Sequence, residues 1–394
     1  MPFIKSFLNI INKNAFFYFC LVFHIFVYWA GALIAYFILG WSVFSDFNQS
    51  GIPTIAQFLV DPAEIYRINS GTPYRSLPSL MLYASLFGMY GSPEVSYISF
   101  SLSFSIWNVG ASVLLSKTLS RLNENKMKQN GSKLNPLTFA SFYLLLPWQW
   151  MAYLMSNADV ACGFFILLGI YLYINKRDNL AFFSWSSAIN FKPLAIYFLI
   201  LVFYDSSVKK LIKRASFIIF AQIPNIILFL IYPNLLPDFI SLNINASLSI
   251  IPFKNISSGS FSRNIAMLFS LPLIPTVIII AVLMIPFQFF YVLKEHGMKM
   301  TLIDRMYFIF LTCIAIVPDF YTLHIFLLVG IYLLWLSTGN LSDKNRVKYL
   351  PIVPTFFITP WLFFPYLSIF YFIPLLYMDY LLLKKPVSRT NACF

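Results

Sequence analysis

Residues 15–39 read AFFYFCLVFHIFVYWAGALIAYFIL, and this stretch decides the class of the protein. A helix that spans a membrane needs about 20 consecutive apolar residues. The run meets that length, and it is longer than the core of a cleavable signal peptide and lacks a convincing cleavage site. We therefore predict a retained membrane span, with His24 packed inside it as a core histidine.

The composition extends this prediction to the whole chain. Hydrophobic residues make up 59% of the 394 residues, charged residues make up 10%, and the mean hydropathy is +0.76. A soluble domain of this size could not cover its surface with so few polar groups. The four cysteines are far apart and form no metal or disulfide pattern. We predict an all-α, polytopic integral membrane protein with a single membrane domain over residues 1–394.

The net charge of +13 raises the question of nucleic acid binding. The basic residues, however, cluster in short loops between apolar runs, such as KTLSRLNENKMKQNGSK at residues 117–133. That pattern orients membrane proteins. We therefore predict a lipid bilayer, and no nucleic acid, as the partner of the charged surface.

Hydropathy divides the chain into about twelve membrane crossings, with both termini cytoplasmic. The first crossing ends near Gly40. Between residues 179 and 204, NLAFFSWSSAINFKPLAIYFLILVFY carries Lys192 and Pro193 in its middle. Because a central lysine and a proline both disfavour one continuous span, we predict two short helices that meet at Lys192. The other predicted spans are Val95–Leu115, Pro136–Ser156, Asp159–Lys176, Ala215–Tyr232, Met267–Val292, Arg305–Val317, Leu323–Leu336, Leu350–Phe364 and Leu367–Leu383.

The distribution of charge supports this topology. Seven of the 14 acidic residues fall on the outer side, whereas the basic residues are strongly biased to the inner side. The outer acidic residues are Asp46, Asp61, Glu64, Glu94, Asp159, Asp238 and Asp319. Of the 27 lysines and arginines, those predicted outside are Arg67, Arg75, Lys192, Lys254 and Arg263.

The first outer loop, residues 41–78, is more elaborate than a simple connection. It opens with WSVFSDFNQSG, which places Asp46 at the mouth of the first span. TIAQFLVDPAEIYRINSG, residues 54–71, has the spacing of two short amphipathic helices at the membrane interface, with a break at Pro62. The next apolar segment, up to residue 91, is too short to cross the membrane.

Polar residues also mark the other outer corners. Asp159 begins a span, Lys192 stands at the helix junction, and Asp319 and His324 lie little more than one helical turn apart. Asp159 and Asp319 could instead be helix N-caps, because a carboxylate there satisfies free amides. Tyr74 and Arg75, which end the first outer loop, could form an ordinary interfacial pair or bind a lipid phosphate.

The order of these features resembles the GT-C superfamily of polyprenyl-phosphate-sugar-dependent glycosyltransferases, most closely the multispanning mannosyltransferases. The resemblance rests on an aspartate after the first span, a G-x-P-Y turn followed by a proline, a polar corner before a span, and the lysine–proline break. Those features are Asp46, the turn at residues 71–78, the corner at Asn157 and Asp159, and Lys192 with Pro193. The family's turn reads closer to PY-x-x-x-YPPL, whereas PYRSLPSL has no second tyrosine and has one proline, Pro78, in place of the adjacent pair.

The resemblance implies an inverting transfer of a hexose from a polyprenyl-phosphate sugar to a glycan or glycolipid acceptor. Mannose is the leading candidate for the hexose. Asp46 matches the family's catalytic base, and Asp61 is a rival in the same loop. The expected substrate-binding residues are Asp61, Tyr74, Arg75, Asp159, Lys192, Asp319 and His324. No DxD motif is present, so we expect no metal and no other cofactor.

The active site is expected on the extracytoplasmic face of a plasma membrane or endoplasmic reticulum. The main alternative is a transporter or flippase for a lipid-linked or polar substrate. Transporters, however, tend to carry internal repeats and charges near the middle of the bilayer. A structural membrane protein is a further alternative, but it gives no reason for the polar groups at the outer corners.

Overall fold

A computed structural model describes residues 13–44, 47–67, 76–88, 92–127, 135–146, 148–204, 207–248 and 261–293, together with single positions between 302 and 334. The described residues are almost entirely helical and contain no β-strand, which confirms the all-α class. Among the described residues, three helices are long and apolar enough to cross a membrane: Ala15–Phe37, Pro93–Leu122 and Val208–Ile231.

The first predicted span is confirmed as one helical rod. It consists of α1 (Lys13–Phe23), a π-helical segment (His24–Trp29) and α2 (Ala30–Phe37). One side of the rod is exposed, at residues such as Phe19, Phe26 and Ile34, as expected of a surface that faces lipid.

The described parts of the first loop, residues 41–44, 47–67 and 76–78, are largely helical as predicted, but with shorter elements. A 3-10 turn (Trp41–Phe44) and a π-helical turn (Phe47–Gly51) lead into α3 (Ile52–Val60). The break falls at Pro62 as predicted, and a single 3-10 turn (Pro62–Glu64) follows it. Next comes α4 (Ser79–Gly88), which at 10 residues is about 15 Å long and too short to cross a bilayer.

The longest helix in the described part of the chain is α5 (Pro93–Met127), with 35 residues. It begins at a proline in a position where no amide is needed, and the Ser92 hydroxyl accepts a hydrogen bond from the Val95 amide at 3.3 Å. The span predicted at Val95–Leu115 is therefore correct but too short. The helix continues into the basic segment that the sequence predicts as a loop.

The third predicted span, Pro136–Ser156, is wrong as a single helix. It is divided into α6 (Pro136–Leu145) and α7 (Trp148–Met155) because Pro147 has no amide proton to continue the helix. Side chains satisfy three carbonyl groups at the break. The donors are Gln149 Nε2 to Tyr143 O at 3.2 Å, His24 Nδ1 to Leu144 O at 3.0 Å, and Tyr28 Oη to Leu145 O at 2.7 Å.

His24 is therefore the core histidine that the sequence predicted. It is fully buried, and its Nδ1–H donates to the Leu144 carbonyl, so Nε2 accepts from the Tyr153 hydroxyl. Asn108 in turn donates to Tyr153 Oη at 2.8 Å and accepts from the Tyr143 hydroxyl at 3.1 Å. Every proton in this network has an acceptor while His24 stays neutral.

The remaining described helices are α8 (Asp159–Ile174), α9 (Asp178–Phe191), a 3-10 helix (Pro193–Phe203), α10 (Val208–Ile231), α11 (Leu235–Leu248), α12 (Phe261–Leu268) and α13 (Leu273–Leu293). Lys192 separates α9 from the 3-10 helix, so the predicted break is confirmed. The span predicted at Met267–Val292 corresponds mainly to α13, which begins six residues later than predicted, at Leu273. Helix α11 was not predicted. The last four predicted spans fall almost wholly outside the described residues.

Candidate functional site at the Asp159 end of the helical hairpin

Helices α8 and α9 form an antiparallel hairpin whose open end brings Asp159 and Lys192 together. The hairpin turns at residues 175–177, and its arms of 16 and 14 residues are about 24 and 21 Å long at 1.5 Å per residue. Their free ends therefore lie at nearly the same level. Gly169 leaves room for the Trp185 ring, whose Nε1 donates to Ile166 O at 3.2 Å, and the two helices pack closely.

Asp159 and Lys192 form a buried ion pair. Lys192 Nζ lies 3.0 Å from Asp159 Oδ1. The Asp159 side chain is fully buried, whereas 25% of the Lys192 side chain is exposed. The Lys192 backbone is extended, with φ −145° and ψ 117°, so the lysine belongs to neither helix. Ionisable groups within a membrane domain are costly and mark functional sites as a rule.

The ammonium group has hydrogen-bonding capacity beyond this pair. A lysine carries three N–H donors. Among the described residues, the Asp159 carboxylate is the partner of Lys192. The remaining donors and the exposed part of the side chain can therefore meet an anionic ligand.

The corner that precedes Asp159 is strained. Ser156, fully buried, has a φ of 53°, in the left-handed region that favours glycine. Its amide donates to Tyr153 O at 3.1 Å, and the Asn157 amide donates to Ala152 O at 3.0 Å, which closes the end of α7. Asn157 Oδ1 accepts from the Asp159 amide at 3.0 Å. Asp159 is thus the first residue of α8 and not its N-cap, although its carboxylate still faces the favourable end of the helix dipole.

The start of the first loop is fastened to this corner by two stacked tyrosines. The Tyr36 hydroxyl donates to Asn48 Oδ1 at 2.6 Å, and the Tyr36 ring stacks on Tyr97 with centroids 3.6 Å apart and planes at 9°. The Tyr97 hydroxyl lies 3.0 and 3.1 Å from the carbonyl oxygens of Tyr153 and Leu154. Residues just after Asp46 are therefore linked to the last turn before Asp159.

The end of the first loop is fastened beside Lys192. The Ser76 hydroxyl donates to the carbonyl of Phe191, the residue before Lys192, at 2.9 Å. The buried Tyr66 hydroxyl donates to Ser76 O at 2.8 Å, and burial raises the pKa of this phenol, which keeps it a donor. The Ser79 amide donates to Asn225 Oδ1 at 2.8 Å. Both ends of the loop are therefore attached to the end of the bundle that carries the ion pair.

The middle of the loop is tied to α11. Arg67 Nε lies 2.7 Å from Asp238 Oδ2, and Arg67 Nη2 donates to Asp238 Oδ1 at 3.0 Å. This bidentate contact raises the pKa of the Arg67 guanidinium, which stays charged. The topology predicted both residues on the outer side, and the ion pair is consistent with their sharing one side.

The predicted site residues thus have different outcomes. The structure brings Asp159 and Lys192 together. Asp61 has a local role, since its carboxylate accepts from the Ala63 amide at 3.0 Å and caps the 3-10 turn. The other predicted site residues lie outside the described residues: Asp46, Tyr74, Arg75, Asp319 and His324.

Sequence reasoning missed the residues that hold the loop in place. Tyr36, Tyr97 and Ser76 are three of many tyrosines and serines, and each has no special neighbours in the sequence. Their roles depend on contacts between distant segments, such as Ser76 with Phe191, which no local pattern records. The hairpin itself had a signal, because two polar corners on one predicted side flank two apolar runs.

Within the part of the chain that the structure describes, no group of three or more His, Cys, Asp or Glu side chains could hold a metal ion. Comparison of the chain with protein-family models, with curated proteins and with solved structures finds no match.

Proposed function

We propose that the protein is an inverting glycosyltransferase with about twelve spans. It moves a hexose from a polyprenyl-phosphate sugar to a glycan or glycolipid acceptor, and mannose is the leading candidate for the hexose. The reaction takes place at the extracytoplasmic face of a plasma membrane or endoplasmic reticulum, with both termini cytoplasmic. The observation that carries the proposal is the partly exposed Lys192 side chain, whose ammonium pairs with Asp159 where both ends of the first loop are attached.

The charge change in the reaction explains why a lysine at this place is useful. The donor is a phosphodiester with one negative charge, and the leaving group is a phosphate monoester with a charge of about −1.5 to −2 at neutral pH. A cation that contacts the phosphate therefore stabilises the transition state more than the bound donor. Lys192 has donors to spare for this contact, and Asp159 holds the ammonium in position.

The bond changes balance without a further reactant. The acceptor hydroxyl oxygen forms a bond to the anomeric carbon while the bond from that carbon to the phosphate oxygen breaks. The electron pair of the broken bond leaves with the polyprenyl phosphate. The hydroxyl proton passes to a carboxylate acting as general base, which the family resemblance assigns to Asp46. One displacement inverts the anomeric carbon.

The attachment of the first loop supports an enzyme. A base and a leaving-group cation are effective only if they are held at a fixed separation. Asn48, two residues after Asp46, and Ser76, directly after Arg75, are both hydrogen-bonded to the helical bundle. The loop thus has one fixed point two residues from Asp46 and another next to Arg75.

A flippase or transporter is the second candidate, because a buried acid–base pair is also common on ion and substrate pathways. The Asp159–Lys192 pair is the observation that favours it. A transferase consumes the donor and makes a glycosylated product, whereas a flippase moves the lipid unchanged. Chemical analysis of the lipids therefore separates the two functions.

The first test uses purified protein in detergent with a short-chain polyprenyl-phosphate-mannose and a mixed glycolipid extract. Wild type and Glu64→Gln should consume the donor. In Asp46→Asn the rate of donor consumption should fall by about 100-fold or more, the usual contribution of a general base. Glu64 is the matched control, since it is a carboxylate of the same loop with an exposed side chain. An active Asp46→Asn would turn the search to Asp61. If wild type consumes none of the mannose, glucose and arabinose donors, the transferase proposal is wrong.

A second test separates catalysis from folding. Lys192→Met alone leaves Asp159 buried without its partner and is expected to destabilise the protein. The double variant Asp159→Asn with Lys192→Met removes both charges and should fold. A folded double variant that still binds acceptor but does not consume the donor supports the phosphate role of Lys192. Normal turnover would mean that the pair has a structural role alone.

A further inference from the structure

Helix α11 (Leu235–Leu248) has an apolar face that no described element covers. Leu236, Ile240 and Ile244 are 43, 47 and 53% exposed. At 100° per residue these three side chains fall within an arc of about 80°. Such a stripe on a soluble protein would be a liability, so it needs an apolar partner.

The rest of α11 divides into two further faces. Leu235 is fully buried, and Phe239 contacts the Tyr66 ring with centroids 5.6 Å apart, so this face packs on the protein. Asp238 and the exposed Ser241 lie between the packed face and the far edge of the apolar stripe. A helix beside a protein at a membrane surface has these three environments: protein, lipid and water.

The position of α11 in the chain identifies the occupant of the apolar face. Three residues separate it from α10 (Val208–Ile231), which is long and apolar enough to span a membrane. The last turns of α10 also expose apolar side chains, at Ile227, Leu230 and Ile231. With 14 residues, α11 is about 21 Å long, short of the roughly 30 Å of a hydrocarbon core.

We propose that α11 lies flat in the membrane interface, with Leu236, Ile240 and Ile244 among the lipid chains of the leaflet at the Ile231 end of α10. Through Arg67–Asp238 and Tyr66–Phe239, it holds the first loop against that leaflet. The inference rests on exposure, periodicity and contacts, and it is independent of the proposed reaction. Bilayer lipid, and not a second protein, is the occupant of the apolar face.

Site-directed spin labelling of the full chain tests this proposal. Ile240→Cys and Ser241→Cys are made in a variant whose four native cysteines are alanine, labelled with a nitroxide and reconstituted in phosphatidylcholine vesicles. The two positions are neighbours on one helix, so each controls for the other. The ratio of accessibility to oxygen over accessibility to a water-soluble nickel chelate should be several-fold higher at position 240 than at 241.

Three other outcomes would overturn the proposal. Equal access of the nickel chelate to both positions would place the apolar stripe in water. Low access of both reagents at position 240 would mean that protein, from this chain or from a second copy, covers the face. A label at position 240 that reports the middle of the bilayer would make α11 a buried span.

Discussion

The α8–α9 hairpin carries an ion pair at each end, and the two pairs are built in opposite ways. At the open end the acid, Asp159, is fully buried and the base, Lys192, is 25% exposed. At the other end Asp178, the first residue of α9, pairs with Arg214 of α10 at 2.9 Å. There the base is buried, with 1% of its side chain exposed, and the acid is 34% exposed.

The two basic residues also differ in how their donors are used. Arg214 Nη1 donates to Tyr204 O at 2.6 Å and to Val202 O at 3.2 Å, which satisfies carbonyl groups where the 3-10 helix ends. Its guanidinium also lies over the Phe182 ring, 5.0 Å from the centroid. A planar group with five donors suits this task. Lys192, in contrast, has one carboxylate partner among the described residues, and its side chain is partly exposed.

This difference indicates that the Asp178–Arg214 pair has a structural role, whereas the Asp159–Lys192 pair is available to a ligand. Burial of the base together with several backbone acceptors is the arrangement of a structural cap. Where only the acid is buried, part of the basic side chain stays exposed and accessible to a ligand. The two ends can therefore be distinguished by measuring stability and ligand response separately.

Arg214→Met should have the largest effect on folding. It leaves two backbone carbonyls without their donor and Asp178 without its partner, so we expect a loss of about 5 kcal/mol, at the upper end for a broken buried pair. The measurement is the thermal midpoint in detergent, with yield of monodisperse protein as a second readout. Lys213→Met, at an exposed neighbouring position, is the control and should be close to wild type. A small effect of Arg214→Met would show that the arginine is not a structural cap.

The Asp159–Lys192 pair should show strong coupling but a smaller total effect. We expect Lys192→Met to cost about 3 kcal/mol, at the lower end of the same range because the lysine side chain is partly exposed. Adding Asp159→Asn should restore much of this loss, since the uncompensated carboxylate is then removed. A double-mutant cycle on the thermal midpoints measures the coupling. Additive effects would contradict a direct ion pair.

Ligand response should distinguish the two ends as well. A polyprenyl phosphate of short chain length should raise the thermal midpoint of wild type, because a ligand that binds only the folded state stabilises it. Lys192→Met, compared at its own midpoint, should lose this shift. Asp178→Asn, which changes the opposite end, should keep it. An unchanged shift in Lys192→Met would remove Lys192 from the phosphate site.

Much of this hairpin was predictable from the sequence, because its signals are local. Two apolar runs flanked by polar corners predict two short helices, and a lysine next to a proline predicts a break. Those signals placed Asp159 and Lys192 on one side of the membrane. The sequence could not indicate that the two side chains touch, since that depends on the lengths of both arms and on the close packing of Gly169 and Trp185.

The division of the third predicted span was not predictable in the same way. Pro147 was visible, but proline is tolerated in apolar helices wherever other groups satisfy the freed carbonyls. Here His24 and Tyr28 do so from a helix more than 100 positions away in the chain. Helix α11 was not predicted because its exposed apolar residues form only a narrow stripe. Its other positions carry both polar and apolar residues, so the hydropathy signal is weak.

The buried hydrogen-bond network around His24 lies at the break between α6 and α7. Its loss should have an effect on stability of intermediate size. His24→Phe keeps the volume of an aromatic ring but removes the donor to Leu144 O and the acceptor for Tyr153. We expect a loss of about 1–3 kcal/mol, the cost of unsatisfied buried polar groups. Tyr28→Phe, which frees one carbonyl, should cost less, and the exposed Tyr18→Phe should cost nothing measurable. Thermal midpoints of the three variants test this ranking, and an effect of Tyr18→Phe as large as that of His24→Phe would contradict it.

The smallest expected effects come from two left-handed residues, one near each end of the hairpin. Lys176, with a φ of 60°, lies in the turn before Asp178 and is exposed, whereas Ser156, with a φ of 53°, is buried before Asp159. Glycine relieves strain at such positions, a gain of about 1–2 kcal/mol that the greater freedom of the unfolded chain partly offsets. Lys176→Gly should therefore raise the thermal midpoint slightly. Ser156→Gly should not, because it also removes a hydroxyl 3.4 Å from Tyr153 O and leaves buried space. If both changes stabilise equally, the Ser156 side chain contributes nothing to the Asp159 corner, and its strained backbone is the property that this end of the hairpin requires.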